Sequence, residues 1–164
     1  MIDSTSSYIT RYKIFIFVIT SVVVLVTSGS SQKSTDRQLL GMFDGRTPCQ
    51  ELAQYLEAPV RSECIKIKWR LFLYLHPDSQ DSGTYELLGF VYEKKNPRLG
   101  KWHTIKGTKT NPDAIVYQLD YEGKKPILLQ KGGNNILFFL DDEKRIMVGN
   151  RDFSFALNRV PRKQ

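Results

Sequence analysis

The 164-residue sequence predicts an all-β fold: a small antiparallel β-barrel with one short helix near its N-terminal end. Three observations predict it. Residues 65–71 alternate strictly between apolar and basic side chains, and the run continues to residue 75 with aromatic outward positions, the mark of a strand with one buried face. About nine short segments of this kind follow one another, mostly 8–12 residues apart with turn residues between them, the rhythm of a sandwich or barrel. Helical spacing is persuasive only beside Cys49. Closure hides the edges of strands rich in aromatic residues, so a barrel is expected over a sandwich.

Ahead of the barrel, Ile14 to Thr27 form a stretch of 14 residues without a charge, preceded by Arg11 and Lys13 and followed by Ser28, Gly29, Ser30 and Ser31. A membrane-spanning helix needs about 20 apolar residues, whereas the core of a signal peptide needs about 7–15. Residues 1–31 are therefore expected to be a secretory signal peptide. The alternative is an uncleaved N-terminal anchor, and membrane association would then come through this segment. No cysteine follows the apolar stretch to receive a lipid, because the first cysteine is Cys49. Residues 32–38 read as a flexible tether, residues 39–159 as the barrel domain and residues 160–164 as a basic tail.

The chain carries a formal charge of +7, and loss of residues 1–31 removes two cations and one anion to leave +6. The basic residues, such as Lys66, Lys68, Arg70, Lys101, Lys124, Arg145 and Arg159, are scattered along the chain. An exported protein rarely meets a genome, so no nucleic-acid partner is expected. The charges read as a solvated basic surface, with weak attraction to anionic membrane or cell-wall polymer as the lesser alternative.

Cys49 and Cys64 make an even pair in an exported chain, and a disulfide between them is expected. The segment after Cys49 reads as the helix, with Thr47 as N-cap, Pro48 at the first helical position, Leu52, Ala53 and Leu56 on one face, and Pro59 as the stop. The bridge would pin this helix to the start of the next strand. Ile65 to Leu71 put apolar side chains at odd positions and basic ones at even positions. At Phe72 and Tyr74 the outward positions turn aromatic, and the pair is a possible contact surface. This far end of the strand is expected to be covered, either by the Cys49 helix or by a partner.

Residues 76–83 read as a turn. Residues 84–93 return as a strand with Tyr85, Leu87 and Val91 on one face and a bend or bulge at Gly89. Asn96, Pro97 and Gly100 bracket the next turn, and residues 101–106 and 114–120 read as strands. Glu122 to Lys125 turn into 127–129, and Gly132 to Asn135 turn into 136–140, a fully apolar run expected to be buried on both faces. Residues 145–148 and 153–158 complete the set.

Catalytic signatures are absent. Nucleophilic catalysis needs a Ser or Cys within reach of a base, and the two histidines, His76 in a turn and His103 in a strand, read as surface residues. No nucleophile elbow, dinucleotide loop or P-loop occurs. Asp78, Asp81 and Asp141 to Glu143 fit no calcium loop. Cys49, Cys64, His76 and His103, spaced 15, 12 and 27 apart, fit no zinc pattern. Met42 and Met147 read as core rather than as copper(I) donors. The protein is expected to be non-enzymatic, with no cofactor and no metal. An aromatic-lined barrel interior is a fair place for a small apolar ligand, and the competing reading is that side chains fill it.

The segment Gly41 to Cys49 (GMFDGRTPC) resembles the opening of the NlpE-type envelope proteins, known as copper resistance lipoproteins. The long strand 65–75, Gly83-Thr84-Tyr85, Gly100-Lys101-Trp102, Leu119-Asp120, Phe139 to Asp142 and the ending Asn150 to Arg159 are similar as well. The resemblance spans roughly residues 39–159. It implies a lipocalin-like barrel in the periplasm or cell envelope that acts through an envelope protein partner in stress or surface sensing, or in copper tolerance. A lipocalin-like carrier of a small apolar ligand is the alternative. The family's C-x-x-C is missing, since Glu51 and Leu52 stand where its second cysteine would fall, and the lipidated cysteine is missing too. Copper binding and lipid anchoring are therefore the properties the resemblance carries least.

Overall fold

The computed structural model describes residues 37–89, 96–121 and 124–161. The expected signal segment, most of the tether, Val91 and the last three residues of the basic tail lie outside the described residues. The described residues form an eight-stranded antiparallel barrel closed in simple sequence order, β1 (Leu39–Pro48), β2 (Lys66–His76), β3 (Ser79–Gly89), β4 (Arg98–Lys106), β5 (Ile115–Leu119), β6 (Ile127–Gly132), β7 (Ile136–Phe139) and β8 (Ala156–Arg159), with β8 pairing back onto β1. One helix, α1 (Cys49–Tyr55), lies between β1 and β2.

Alternation decides which face each strand buries. In β2 Ile67, Trp69, Leu71 and Leu73 are buried, while Lys66 and Lys68 are exposed and Arg70, Phe72 and Tyr74 are half-exposed on the outer face. The same rule turns Phe43, Tyr85, Leu87, Trp102, Leu119, Leu129, Leu137 and Leu157 inward, where they join Leu52 and Leu56 of the helical segment in one continuous core. Polar tips inside this core have partners. The Trp102 indole N–H is shared between the carbonyls of Tyr74 and Thr84 at 3.0 and 3.1 Å, and the Tyr85 hydroxyl donates to the Asp120 carbonyl at 2.6 Å.

Several boundaries differ from the sequence reading, each for a physical reason. Thr47 and Pro48 end β1 rather than starting the helix: Thr47 points inward, and its hydroxyl accepts the Trp69 indole N–H at 2.9 Å. No side chain caps α1, whose first N–H donates to the Ile65 carbonyl across the loop. The β2–β3 turn is only Pro77-Asp78, with a bulge at its base, and β3 already begins at Ser79. Gly100 lies inside β4 rather than in a turn, where a side chain would run into the Tyr85 ring. In β7, Leu137 and Phe139 are buried but Ile136 and Phe138 are only half-buried.

Residues 145–148 form no barrel strand. Only Ile146 bridges back to Leu140, and Val148 is 87% exposed. The Asp141 carboxylate accepts the backbone N–H groups of Glu143 and Arg145, which folds the chain back on itself. That fold-back lays Leu140 against Val116, Leu128 and Ile105, a second, small apolar cluster. Met42 is not core either: it sits half-buried on the outer face, opposite Phe72.

Strand connectivity assigns every loop to one of two ends. The first end carries α1 and the segments following Leu119 and Phe139; the second carries the short turns at 77–78, 107–114 and 133–135.

Candidate functional site

The barrel interior is filled by side chains, twenty of which form one cluster of buried residues. The candidate site is on the outside, on the face built by β1, β2 and β3.

Register lays out this face in rows. Arg46 stands opposite Lys68; Asp44 lies between Asn158 and Arg70, with Leu88 beyond; Met42 faces Phe72, with Glu86 and Leu99 beyond; Leu39 faces Tyr74, with Thr84 and Lys101 beyond. The outer side of β2 thus reads Lys66, Lys68, Arg70, Phe72, Tyr74. Phe72 and Tyr74 lie nearly parallel, their centroids 6.4 Å apart, and the Arg37 guanidinium sits 4.6 Å above the Tyr74 ring. Partial burial raises the Tyr74 hydroxyl above its ordinary pKa and the Glu86 carboxylate adds to this, with Arg37 pulling the other way. Leu99 is 59% exposed at the edge of the same rows. Helix α1 does not cover the aromatic pair, because it packs at the start of β2 and Phe72 and Tyr74 are near its end.

Beside the aromatic rows opens a groove of about 740 Å³ whose lining includes Arg46, Lys68, Arg70, Leu88, Gly89 and Phe153. Gly89 makes the opening: its φ is +100°, and a Cβ there would run into the Lys68 carbonyl. No other residue accepts such a backbone cheaply. Gly89, paired with Trp69, is the last described residue of β3 and brings no side chain to the groove. The opposite wall is the 150–154 segment, held because the Asn150 side chain accepts the N–H groups of Asp152 and Phe153 at 3.0 and 2.9 Å. Arg70 grips Asp44 with two hydrogen bonds of 2.9 and 2.6 Å, which raises the guanidinium pKa further.

The other residues singled out from the sequence are placed elsewhere. Cys49 and Cys64 form a disulfide, 5.7 Å between Cα atoms, and Gln50 adds hydrogen bonds to the carbonyls of Arg61, Ser62 and Cys64. A disulfide fits an oxidising compartment. His76 is exposed in the β2–β3 turn, where its Nδ1 accepts the Asp78 N–H at 3.3 Å; His103 is half-buried on β4 between Ser82 and Gln118. The structure does not bring the two histidines together. Asp141, Asp142 and Glu143 are engaged by Arg145, Lys125 and Lys109. Among the described residues no three His, Cys, Asp or Glu side chains converge on a possible metal position.

Arg159 is the residue the sequence reading misplaced. It is not a solvated surface cation. Its guanidinium stacks 4.9 Å from the Phe43 ring centroid and donates to the carbonyls of Leu40 and Asn134, which plugs the second end of the barrel. Its only sequence signal was position, two residues after the inward Leu157 in an alternating strand.

Fold and site together define an eight-stranded antiparallel barrel of lipocalin-like architecture with a packed interior and a mixed aromatic and basic outer face. The chain matches no protein-family model, no curated protein and no solved structure.

Proposed function

We propose that this protein is a non-enzymatic envelope module, resembling the NlpE N-terminal domain, that works through contact of its outer β1–β2–β3 face with an envelope protein in stress or surface sensing. One observation carries the reading: Phe72 and Tyr74 stand in parallel on the outer face, half-exposed and flanked by Met42 and Leu99. Aromatic side chains with an apolar body and a polar tip are the commonest anchors of protein interfaces. The disulfide supports export to an oxidising compartment.

The test is genetic and biochemical together. Deleting the gene should alter an envelope-stress reporter in the host, and the wild-type chain should restore it. The Phe72→Ser/Tyr74→Ser variant should accumulate with its disulfide formed yet fail to restore the reporter. An unchanged reporter and unchanged copper tolerance after deletion, or full restoration by the double variant, would overturn the proposal.

A further inference from the structure

We propose that the groove between the outer face of β1–β2 and the 150–154 segment is a binding site for an oxyanion, a phosphate or carboxylate group carried on a larger apolar or ring-bearing ligand. The groove lies on the same outer face as the contact surface described above, but the inference does not depend on that reading, because it rests on Arg46, Lys68 and Phe153 and not on the Phe72 and Tyr74 anchors.

Charge is the first argument. Arg46 and Lys68 are paired directly across β1 and β2 and both are exposed on the outer side. Directly paired residues have Cβ atoms about 5 Å apart, and like charges there repel. Neither cation has an ion-pair partner among the described residues. Both acidic groups of the groove are engaged, Asp44 with Arg70 and Asp152 with Arg151. The groove therefore presents two adjacent, uncompensated cations, with the Lys66 ammonium 5.8 Å from the Phe153 ring just beyond. An oxyanion seated between Arg46 and Lys68 would relieve their repulsion and accept hydrogen bonds from both, and such charge-assisted bonds are the strong ones.

Shape is the second argument. A flat sheet would fill this place with a β3 side chain. At the end of β3 the lining residue is Gly89, which has no side chain to occupy the groove. Leu88 and Phe153 add apolar side chains to the lining beside the cations. The volume of about 740 Å³ falls in the range of small-ligand sites, which pair apolar walls with a few placed polar groups. This combination selects a ligand with a charged head and an uncharged body over a bare inorganic ion.

The site is tested with the purified chain by amide chemical-shift titration. The probes are inorganic phosphate, glucose 1-phosphate, and vesicles of phosphatidylglycerol set against phosphatidylcholine. Glucose 1-phosphate or phosphatidylglycerol should shift the amides of Arg46, Lys68, Gly89 and Phe153, and bind at least tenfold more tightly than inorganic phosphate or phosphatidylcholine. Saturation by the soluble ester identifies a free ligand; response to phosphatidylglycerol alone identifies a lipid headgroup; either supports the site. Arg46→Gln/Lys68→Gln should weaken binding at least tenfold. Lys101→Gln/Lys106→Gln, which removes the same charge elsewhere, should leave it within twofold. Without ligand the Arg46→Gln/Lys68→Gln variant should melt no lower than wild type at low salt, because a repulsion has been removed. Equal loss in both double variants, or no response to any probe, would overturn the proposal.

Discussion

The two ends of the barrel are closed by different means. At the first end a seven-residue helix, α1, lies over the core with Leu52 inserted and with no side-chain cap of its own. Helices this short do not persist alone in water. Its position comes from outside itself: the Cys49–Cys64 bridge, the three Gln50 hydrogen bonds, and Tyr55 packed under the Lys125 ammonium that pairs with Asp142. At the second end short turns reverse the chain, with left-handed glycines at Gly107 and Gly133 and the Pro77-Asp78 link. There the opening is stoppered by one side chain, Arg159. One end is thus closed by long-range bonds converging on a helix, the other by local turn chemistry and a single guanidinium. The comparison teaches that barrel closure needs only something that fills the mouth and satisfies its carbonyls.

Breaking the first end should cost most. Leu52 is fully buried, so Leu52→Ala should destabilise the barrel by about 2–5 kcal/mol in urea unfolding. Replacing both cysteines by alanine should cost about 3 kcal/mol, the loop-closure value for a bridge of this span. Hydrogen exchange should then show α1 opening while β2 and β3 stay protected. Uniform loss of protection would mean that the helix and barrel are one cooperative unit.

At the second end, Arg159→Ala strips donors from two carbonyls and a cation from the Phe43 ring, and should cost about 1–3 kcal/mol. Arg159→Lys should recover only part of it, because an ammonium lacks the fork that reaches both carbonyls. Full recovery would show that the plug is a point charge and not a shaped one.

The smallest effect is one of pH, and at the first end it centres on Tyr55. Burial, the Asp142 charge and a hydrogen bond to Asp142 push the Tyr55 hydroxyl up to about 12. A group whose pKa rises on folding stabilises the folded state fully below its unfolded value, ordinarily 10.0. That stability is lost as pH climbs from there toward 12. Wild type should therefore lose stability over this alkaline window, and Tyr55→Phe should flatten the decline. An unchanged slope would place the alkaline sensitivity elsewhere.

Much of the barrel was legible because alternation is a local property. The inward series Ile67, Trp69, Leu71, Leu73 and the outward Phe72 and Tyr74 follow from a period of two, whatever the rest of the chain does. Gly89 was readable as a bend for the same reason, since glycine inside a strand marks a place where a side chain cannot stand. The groove beside it was not readable. Its walls come from residues 44–46, 68–70 and 152–154, and no local pattern states that these segments meet. Residues 145–148 looked like a strand by composition, yet the Asp141 carboxylate captured the neighbouring N–H groups first. Thr47 looked like a helix cap, yet the Trp69 indole claimed its hydroxyl.

Most of the strands, most of the core and the pairing of the two cysteines follow from local residue patterns, because hydrophobic periodicity and thiol oxidation depend on the residues in hand. That Arg159 plugs the second end and that Arg46 and Lys68 face one another across β1 and β2 came only with the folded barrel. Those outcomes depend on register and closure, which set distances between residues that are remote along the chain.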